Sequence, residues 1–282
     1  STIRREITRN KLKDGFYSPP VAQAKAKKRQ LSKIRYRITP GQWAMIEGLI
    51  KEEQLSPDQI SGWLKLHFYF RVSHEWIYQH IYKNQDKDPL LASNLRHHKK
   101  TSYKKRYKKQ AIDNKRSIET RPQEANERTR VGDWEIDTMI GTGQQGIMLV
   151  AVERKTRLTT ACQLDTKSEP DTTPATLELL TPYAESIKTI TSDNGGEFAG
   201  HGTIAEQLDL DYYFAHPYCS SERGTVENTN GIIRKYFPKN TNFLKTNPTE
   251  LKETIEKINR RPRKTLNYRT PQYTYNQNAL AS

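Results

Sequence analysis

From Val131 onward the apolar positions follow strand spacing. Residues 133–140, 146–154 and 157–164 alternate or cluster β-branched and apolar side chains, with turns at 141–146 and Lys155-Thr156, and read as an antiparallel three-strand meander. A helical stretch over 172–183 follows, opened by Asp171 and with Pro174 in its first turn. Next come a β-branched strand at 187–192, a helix near 203–208, a short strand at 211–214 and a long helix from about Glu222 to Tyr236. The first half reads differently. Ile3 and Ile7 lie one helical turn apart at 1–10, with arginines on the other faces, a basic amphipathic helix that ends before Asp14-Gly15. Trp43, Ile46, Leu49 and Ile50 give a second helix. Ser56-Pro57-Asp58-Gln59 is a capping-box start to a third, and Ser73 opens a fourth that carries Trp76, Ile77, His80 and Ile81.

These patterns predict a chain of several domains. The helices at 42–82 fit a helix-turn-helix with 73–82 as its recognition helix, although a generic three-helix bundle has the same pattern. The second half has the order βββαβαβα, that of an α/β ribonuclease-H-like fold with a mixed five-stranded sheet. Its first and fourth strands lie adjacent and parallel. The expected boundaries are 1–38 for a first helix-turn-helix remnant and basic arm, 39–95 for a second helix-turn-helix, 96–130 for a basic linker and 131–282 for the catalytic domain with its C-terminal helix.

Charge sharpens this division. The 282 residues carry a formal net charge of +15, which points to a polyanionic partner. Residues 1–130 hold 30 Lys and Arg against 13 Asp and Glu, whereas 131–282 hold 17 against 19. The first half therefore reads as a binding half and the second as a working half. Residues 21–37 carry seven cations and no acid, and 96–121 carry eleven cations with Tyr103 and Tyr107 interleaved. Both read as solvated segments lying along phosphates. The expected DNA contacts are Arg4, Arg5 and Arg9 on the first helix, Lys27, Lys28 and Arg29 in the arm, and Ser73, His74 and Trp76 on the recognition helix. Lys104, Lys105, Arg106, Lys108 and Lys109 follow in the linker. The two cysteines, Cys162 and Cys219, have no CxxC spacing, which excludes a disulfide framework and a thiolate zinc site. No apolar run reaches the length of a membrane span, and a cytoplasmic, nucleoid-associated location is expected. Gly141-Thr142-Gly143-Gln144-Gln145-Gly146 matches a dinucleotide-binding pattern in form only, because it joins two strands rather than a strand to a helix.

The candidate chemistry is carboxylate chemistry. Asp193 ends the strand at 187–192 and meets Asn194-Gly195-Gly196, so it sits at a strand tip in a tight turn. Upstream, Asp133, Glu135 and Asp137 lie on the first strand, and Glu227 lies on the last long helix. Strand adjacency lets Asp137 and Asp193 meet. Three converging carboxylates suit Mg²⁺, which takes oxygen ligands and keeps sites for substrate phosphates. Two such ions can clamp both oxygens of an in-line phosphoryl displacement. Asn230 and Arg234 share the Glu227 face at i+3 and i+7, and would point an amide and a guanidinium toward phosphates.

In order, GDWEIDTMIG, TSDNGGEF, RGTVENTNGIIRKYFPK and NRRPRKTLNYRTP resemble the insertion-sequence-thirty family of bacterial DDE transposases, and the resemblance covers essentially the whole chain. STIRREITRN is similar to the end of that family's first helix-turn-helix, so the start of that motif is expected to be missing. SPDQISGWL and VSHEWIYQHIY are similar to its second. The resemblance implies a ribonuclease-H-like, retroviral-integrase-like core with Asp137, Asp193 and Glu227 as catalytic and metal-binding triad. Two Mg²⁺ ions, replaceable by Mn²⁺, are implied for each site. The implied reaction frees a 3′-OH at the element's terminal inverted repeats and directs its attack onto another phosphodiester, by a homodimer on double-stranded DNA. One departure is Cys219-Ser220-Ser221-Glu222, where relatives often have Ser-Pro-Trp-Gln. It removes an aromatic and adds an acid near Glu227; Glu135, on the strand face of Asp137, is another substitute ligand. Two other readings remain open at this point: a ribonuclease-H-like nuclease without joining activity, and a DNA-binding regulator with an inactive catalytic fold.

Overall fold

Strand β2 (Asp133–Ile140) forms the middle of the sheet because its side chains are buried on both faces. The computed structural model describes all residues except 1, 13, 33–37, 85, 94, 96–111, 113, 145, 218 and 280–282. The chain divides into two compact units, residues 1–49 and 50–282.

In the first unit, α1 (Thr2–Asn10) and α2 (Pro19–Ser32) pack together. Asn10 is fully buried, and its carboxamide accepts a 2.6 Å hydrogen bond from Arg29. Lys25 donates to the carbonyls of Asn10 and Lys11. The basic stretch expected as a solvated arm is therefore a helix through residue 32. Pro19 and Pro20 start it, and the Ala, Gln, Lys and Arg that follow are strong helix formers. Helix α3 (Pro40–Lys51) runs across the division between the units.

In the second unit, α4 (Pro57–His67) begins at the expected capping box, with both the Ser56 and Gln59 hydrogen bonds formed. It packs against α5 (His74–Asn84), which contacts α6 (Pro89–Ser93). Ile60, Leu64, Ile77 and Ile81 are fully buried in this helical layer. The pair docks on the chain that follows α11 (Pro248–Asn259). Gln59 donates to the Pro262 carbonyl at 2.8 Å, and the Tyr268 hydroxyl donates to Asp58. Gly62 lies under the Tyr268 ring, so that a Cβ there would stand 2.2 Å from ring carbons.

The sheet has six strands in the order β1-β6-β5-β2-β3-β4. Strands β3 (Ile147–Glu153) and β4 (Thr159–Leu164) complete the antiparallel meander. Strands β5 (Thr189–Ser192) and β6 (Asp211–Phe214) run parallel to β2, and Glu135 pairs with Thr191. The five strands read from the sequence are present. The sixth, β1 (Arg116–Ser117), extends the edge beside β6. It comes from the segment read as linker, where α7 (Gln123–Glu127) also forms and where Ile118, Arg121 and Ala125 are buried. The Arg121 guanidinium donates to Thr191 on β5 and to Asn126. Its pKa falls to about 10, chiefly from burial and then from neighbouring Arg154.

One face of the sheet carries Trp134, Ile136, Leu149, Ala151 and Ile190. It is covered by α8 (Glu169–Leu180) and α9 (His201–Gln207), with Tyr275 of α12 (Pro271–Ala279) in the same core. Helix α8 starts at Glu169, three residues earlier than the sequence pattern indicates, so Pro174 falls in its second turn. The opposite face carries Met139, Met148, Val150 and Val152 under α10 (Gly224–Tyr236) and α11, through Val226, Ile233 and Ile258. The glycine-rich 141–146 segment is the β2–β3 turn, and Gly146 backs onto the Leu244 amide with φ +73°.

Gly62→Ala is expected to destabilise the protein by about 1–3 kcal/mol through overpacking against Tyr268. Urea denaturation should show a smaller cost in a Tyr268→Ala background, because the clash is then gone.

Candidate active site

Asp137 lies on β2, two residues beyond Glu135 and on the same sheet face, the one that α10 covers. Asp193 follows the last residue of β5, and its carboxylate accepts the Gly195 amide at 3.0 Å in a local turn. Because β2 and β5 are parallel neighbours, the two aspartates come to the same end of the sheet. Arg223, one residue before α10, forms ion pairs with both: Nη1 is 3.2 Å from Asp137 and Nη2 is 3.5 Å from Asp193. Asn230 donates to the other oxygen of Asp137 at 2.8 Å. Burial raises the Asp137 pKa; Arg223 opposes this and Asp193 adds to it. Burial alone would lower the Arg223 pKa, but Asp137, Asp193 and Glu227 outweigh it and raise the value.

Glu227 is exposed on the first turn of α10, four residues after Arg223. It makes no hydrogen bond or ion pair with the described residues. In this arrangement, no three Asp, Glu, His or Cys side chains among the described residues are close enough to share a metal ion. Asp137 and Asp193 are brought together, and Glu227 stands beside them in the field of the same guanidinium. The two gathered groups are carboxylates with oxygen donors only, a set that fits a hard divalent cation.

The alternative acids are held in the scaffold. Glu135 is fully buried, forms an ion pair with Arg154, and accepts the backbone N–H groups of Thr225 and Val226 at 2.9 Å each. It ties the start of α10 to β2. Glu222 accepts the backbone amide of His216 and contacts its Nδ1, both at 2.7 Å. A groove of about 1010 Å³ opens beside Asp193 and Arg223, with Thr166, Lys167, Glu197 and His216 in its lining. Gly195 sits against the Glu197 carboxylate, where a Cβ would approach to 2.2 Å. Glu197 itself is buried and held by Thr138 and Lys167, each at 2.9 Å.

Arg4, Arg5, Arg9, Lys27 and Lys28 are exposed in their unit, whereas Arg29 is half-buried on Asn10. In the second unit, His74 and Trp76 are exposed at the start of α5, and the Ser73 hydroxyl caps that helix by accepting the Trp76 amide. Lys104, Lys105, Arg106, Lys108 and Lys109 lie outside the described residues. The two further α10 residues expected to face phosphates bond within the protein here. Asn230 bonds to Asp137 rather than presenting a free amide to a phosphate. Arg234 turns back to the Ile140 carbonyl at 2.8 Å and lies 5.1 Å from the Phe243 ring centroid. Sequence reasoning did not single out Arg223. Its position one helical turn before Glu227 was the available signal.

A mixed sheet with this strand order brings two aspartates from adjacent parallel strands to one end, beside a glutamate-bearing helix. The sequence comparisons carry this to a family. The chain is 38% identical to a transposase for insertion sequence element IS4351 of Bacteroides fragilis, over 100% of this chain and 89% of that protein. It is 32% identical to a transposase for insertion sequence element IS1086 of Cupriavidus metallidurans, over 96% and 84%, respectively. It is also 32% identical to transposase InsI for IS30A of Escherichia coli, over 96% and 74%. The chain belongs to the IS30 family of transposases. No family model matches it. Among solved structures, the catalytic core domain of BIV integrase aligns with 53% of this chain and 96% of its own, at 20% identity and a TM-score of 0.42. Among the described residues, no helix is long and apolar enough to cross a membrane.

Glu135→Gln is expected to cost about 3–5 kcal/mol, because Arg154 is left buried without its counter-charge; denaturant midpoints measure this. A second expectation concerns His216, whose pKa is raised by its hydrogen bond to Glu222 and by that residue's charge. The stabilisation from this pair is full below the unfolded His value, about 6.5, and disappears as pH rises through the folded value. NMR titration should place His216 above 6.5, and Glu222→Gln should bring it down.

Proposed function

We propose that Asp137, Asp193 and Glu227 are the catalytic and metal-binding acids of a DNA strand transferase acting at the terminal inverted repeats of an insertion sequence. The observation that carries this reading is the meeting of Asp137 and Asp193 on one guanidinium, with Glu227 one helical turn beyond it. Two carboxylates held near each other repel, and Arg223 supplies the charge that keeps them together. Asn230 fixes the rotamer of Asp137, and Glu135 fixes the helix that carries Glu227.

Two Mg²⁺ ions, or Mn²⁺ in their place, would be held by the three carboxylates and would stabilise charge on the attacking and leaving oxygens of phosphoryl transfer. The protein's own part in this reading is positioning and electrostatic pre-organisation. Of the two cysteines, Cys162 is held as a thiol by burial, which pushes its pKa up to about 12. The reaction frees a 3′-OH at the element end and joins it to another phosphodiester. Two element ends have to be held together to be joined, and a homodimer on DNA, one protomer to each end, is the working form proposed. Arg4, Arg5, Arg9, Lys27 and Lys28 supply phosphate contacts, and His74 and Trp76 present the recognition helix to the groove.

Cleavage and strand transfer on a labelled duplex carrying the element's own end test the reading. With Mg²⁺ the wild type is expected to nick and join. Asp193→Asn and Glu227→Gln should bind the duplex as well as the wild type does, and lose both steps by at least about a hundredfold. Nicking without joining points to a plain nuclease. Full activity in Glu227→Gln removes that residue from the triad.

A further inference from the structure

On the side of α10 away from the carboxylates, a second cavity of about 300 Å³ is lined by Arg128, Arg157, Arg263, Thr225, Asn228 and Thr229. None of its lining residues is acidic. At 100° per residue, Thr225, Asn228 and Thr229 lie opposite Glu227, Asn230 and Arg234 on the helix. Arg157 donates to the Thr225 hydroxyl at 2.9 Å, and Arg128 reaches the same oxygen at 3.4 Å. Neither arginine forms an ion pair among the described residues. The nearest acids are committed elsewhere: Glu135 to Arg154 and the two α10 amides, and Glu153 to the Gly132 amide and to Thr156. Burial, then Arg128, lowers the Arg157 pKa, so positive charge is under-compensated here.

Both arginines leave the backbone at turns: Arg128 (φ +60°) ends α7, its N–H donating to the Glu124 carbonyl, and Arg157 (φ +66°) lies in the β3–β4 turn, its N–H donating to the Glu153 carbonyl. The two turns bring two guanidinium groups to one hydroxyl that a single donor would satisfy. The volume is about ten times a water molecule's share of the liquid, room for a tetrahedral anion and its hydration.

We propose that this cavity is a binding site for a backbone phosphate of the DNA, engaged by Arg128 and Arg157 with the exposed Asn228 at its rim. The inference rests on the chain acting on DNA, as set out above. It adds a contact one helix diameter from the carboxylates, about three base steps at 3.4 Å per step. The contact reads no base and anchors the strand on the far side of the helix that carries Glu227.

The test is equilibrium binding of the full chain to a short mixed-sequence duplex over a salt series, without divalent metal. The Arg128→Gln/Arg157→Gln double variant should show a log K against log salt slope shallower than wild type by about 0.9, the value for one phosphate. Arg128→Lys/Arg157→Lys should retain most of the wild-type slope. A control with two exposed cations removed elsewhere, Lys239→Gln/Lys252→Gln, should leave the slope unchanged. Asn228→Asp, which places a carboxylate at the rim, should reproduce the loss and serves if the double glutamine variant does not fold. An unchanged slope in the folded pocket variants overturns the proposal, as does an equal change in the control. Inorganic phosphate raising the wild-type Tm but not that of the pocket variant, with identical DNA slopes, makes the cavity a small-anion site and also overturns it. Binding is read without metal and apart from cleavage, so failure of the pocket and failure of the strand-transfer reading give separate results.

Discussion

The candidate active site depends on where the Glu135 carboxylate goes. A fully buried acid in the middle of a sheet is costly unless each oxygen is matched. Here one oxygen pairs with Arg154, and the other accepts the first free amides of α10, where the helix dipole also favours negative charge. That arrangement fixes the helix against β2. Side chains on a strand repeat every two residues, so the next one on the same face is Asp137, and Asn230 of the fixed helix reaches it. Arg223, just before the helix, spans to Asp193 on the neighbouring strand. One buried acid thus sets the register between a strand and a helix that are some ninety residues apart in sequence.

Much of this was legible in the chain. The β-branched runs place five strands, with β2 and β6 at the bounds read from the pattern. The Asp193-Asn194-Gly195-Gly196 turn places an aspartate at a strand tip, and Ser56 to Gln59 marks the start of α4. What escaped was charge that the fold buries. Arg121 sits in a basic run and looks solvated, because its partner Thr191 is seventy residues away. Glu135 looked like a spare ligand because strand periodicity gives the face a side chain occupies but not what covers it. Arg234 shares the Glu227 face, yet a nearby carbonyl and aromatic ring decide its direction. The 21–32 segment reads as an arm by charge and as a helix by propensity, and burial of Asn10 against Arg29 favours the helix.

The helical layer of the second unit is not a free appendage. Gln59, Asp58 and Gly62 of α4 engage the chain after α11, which itself packs through Ile258 beside β3 and α10. The exposed start of α5, with His74 and Trp76, is therefore held on the same scaffold as the carboxylates. The α4 contacts tie that surface to the chain packed beside the sheet.

The parallel neighbours β2 and β5 also determine when the three acids can come together. Asp137, Asp193 and Glu227 are contributed in turn as the chain lengthens, and the clamp on α10 cannot close before Thr225 and Val226 have been made. A ribosome that has released only the helices and the first meander therefore carries a polypeptide in which Asp137 has neither Asp193 beside it nor Arg223 and Asn230 to hold it.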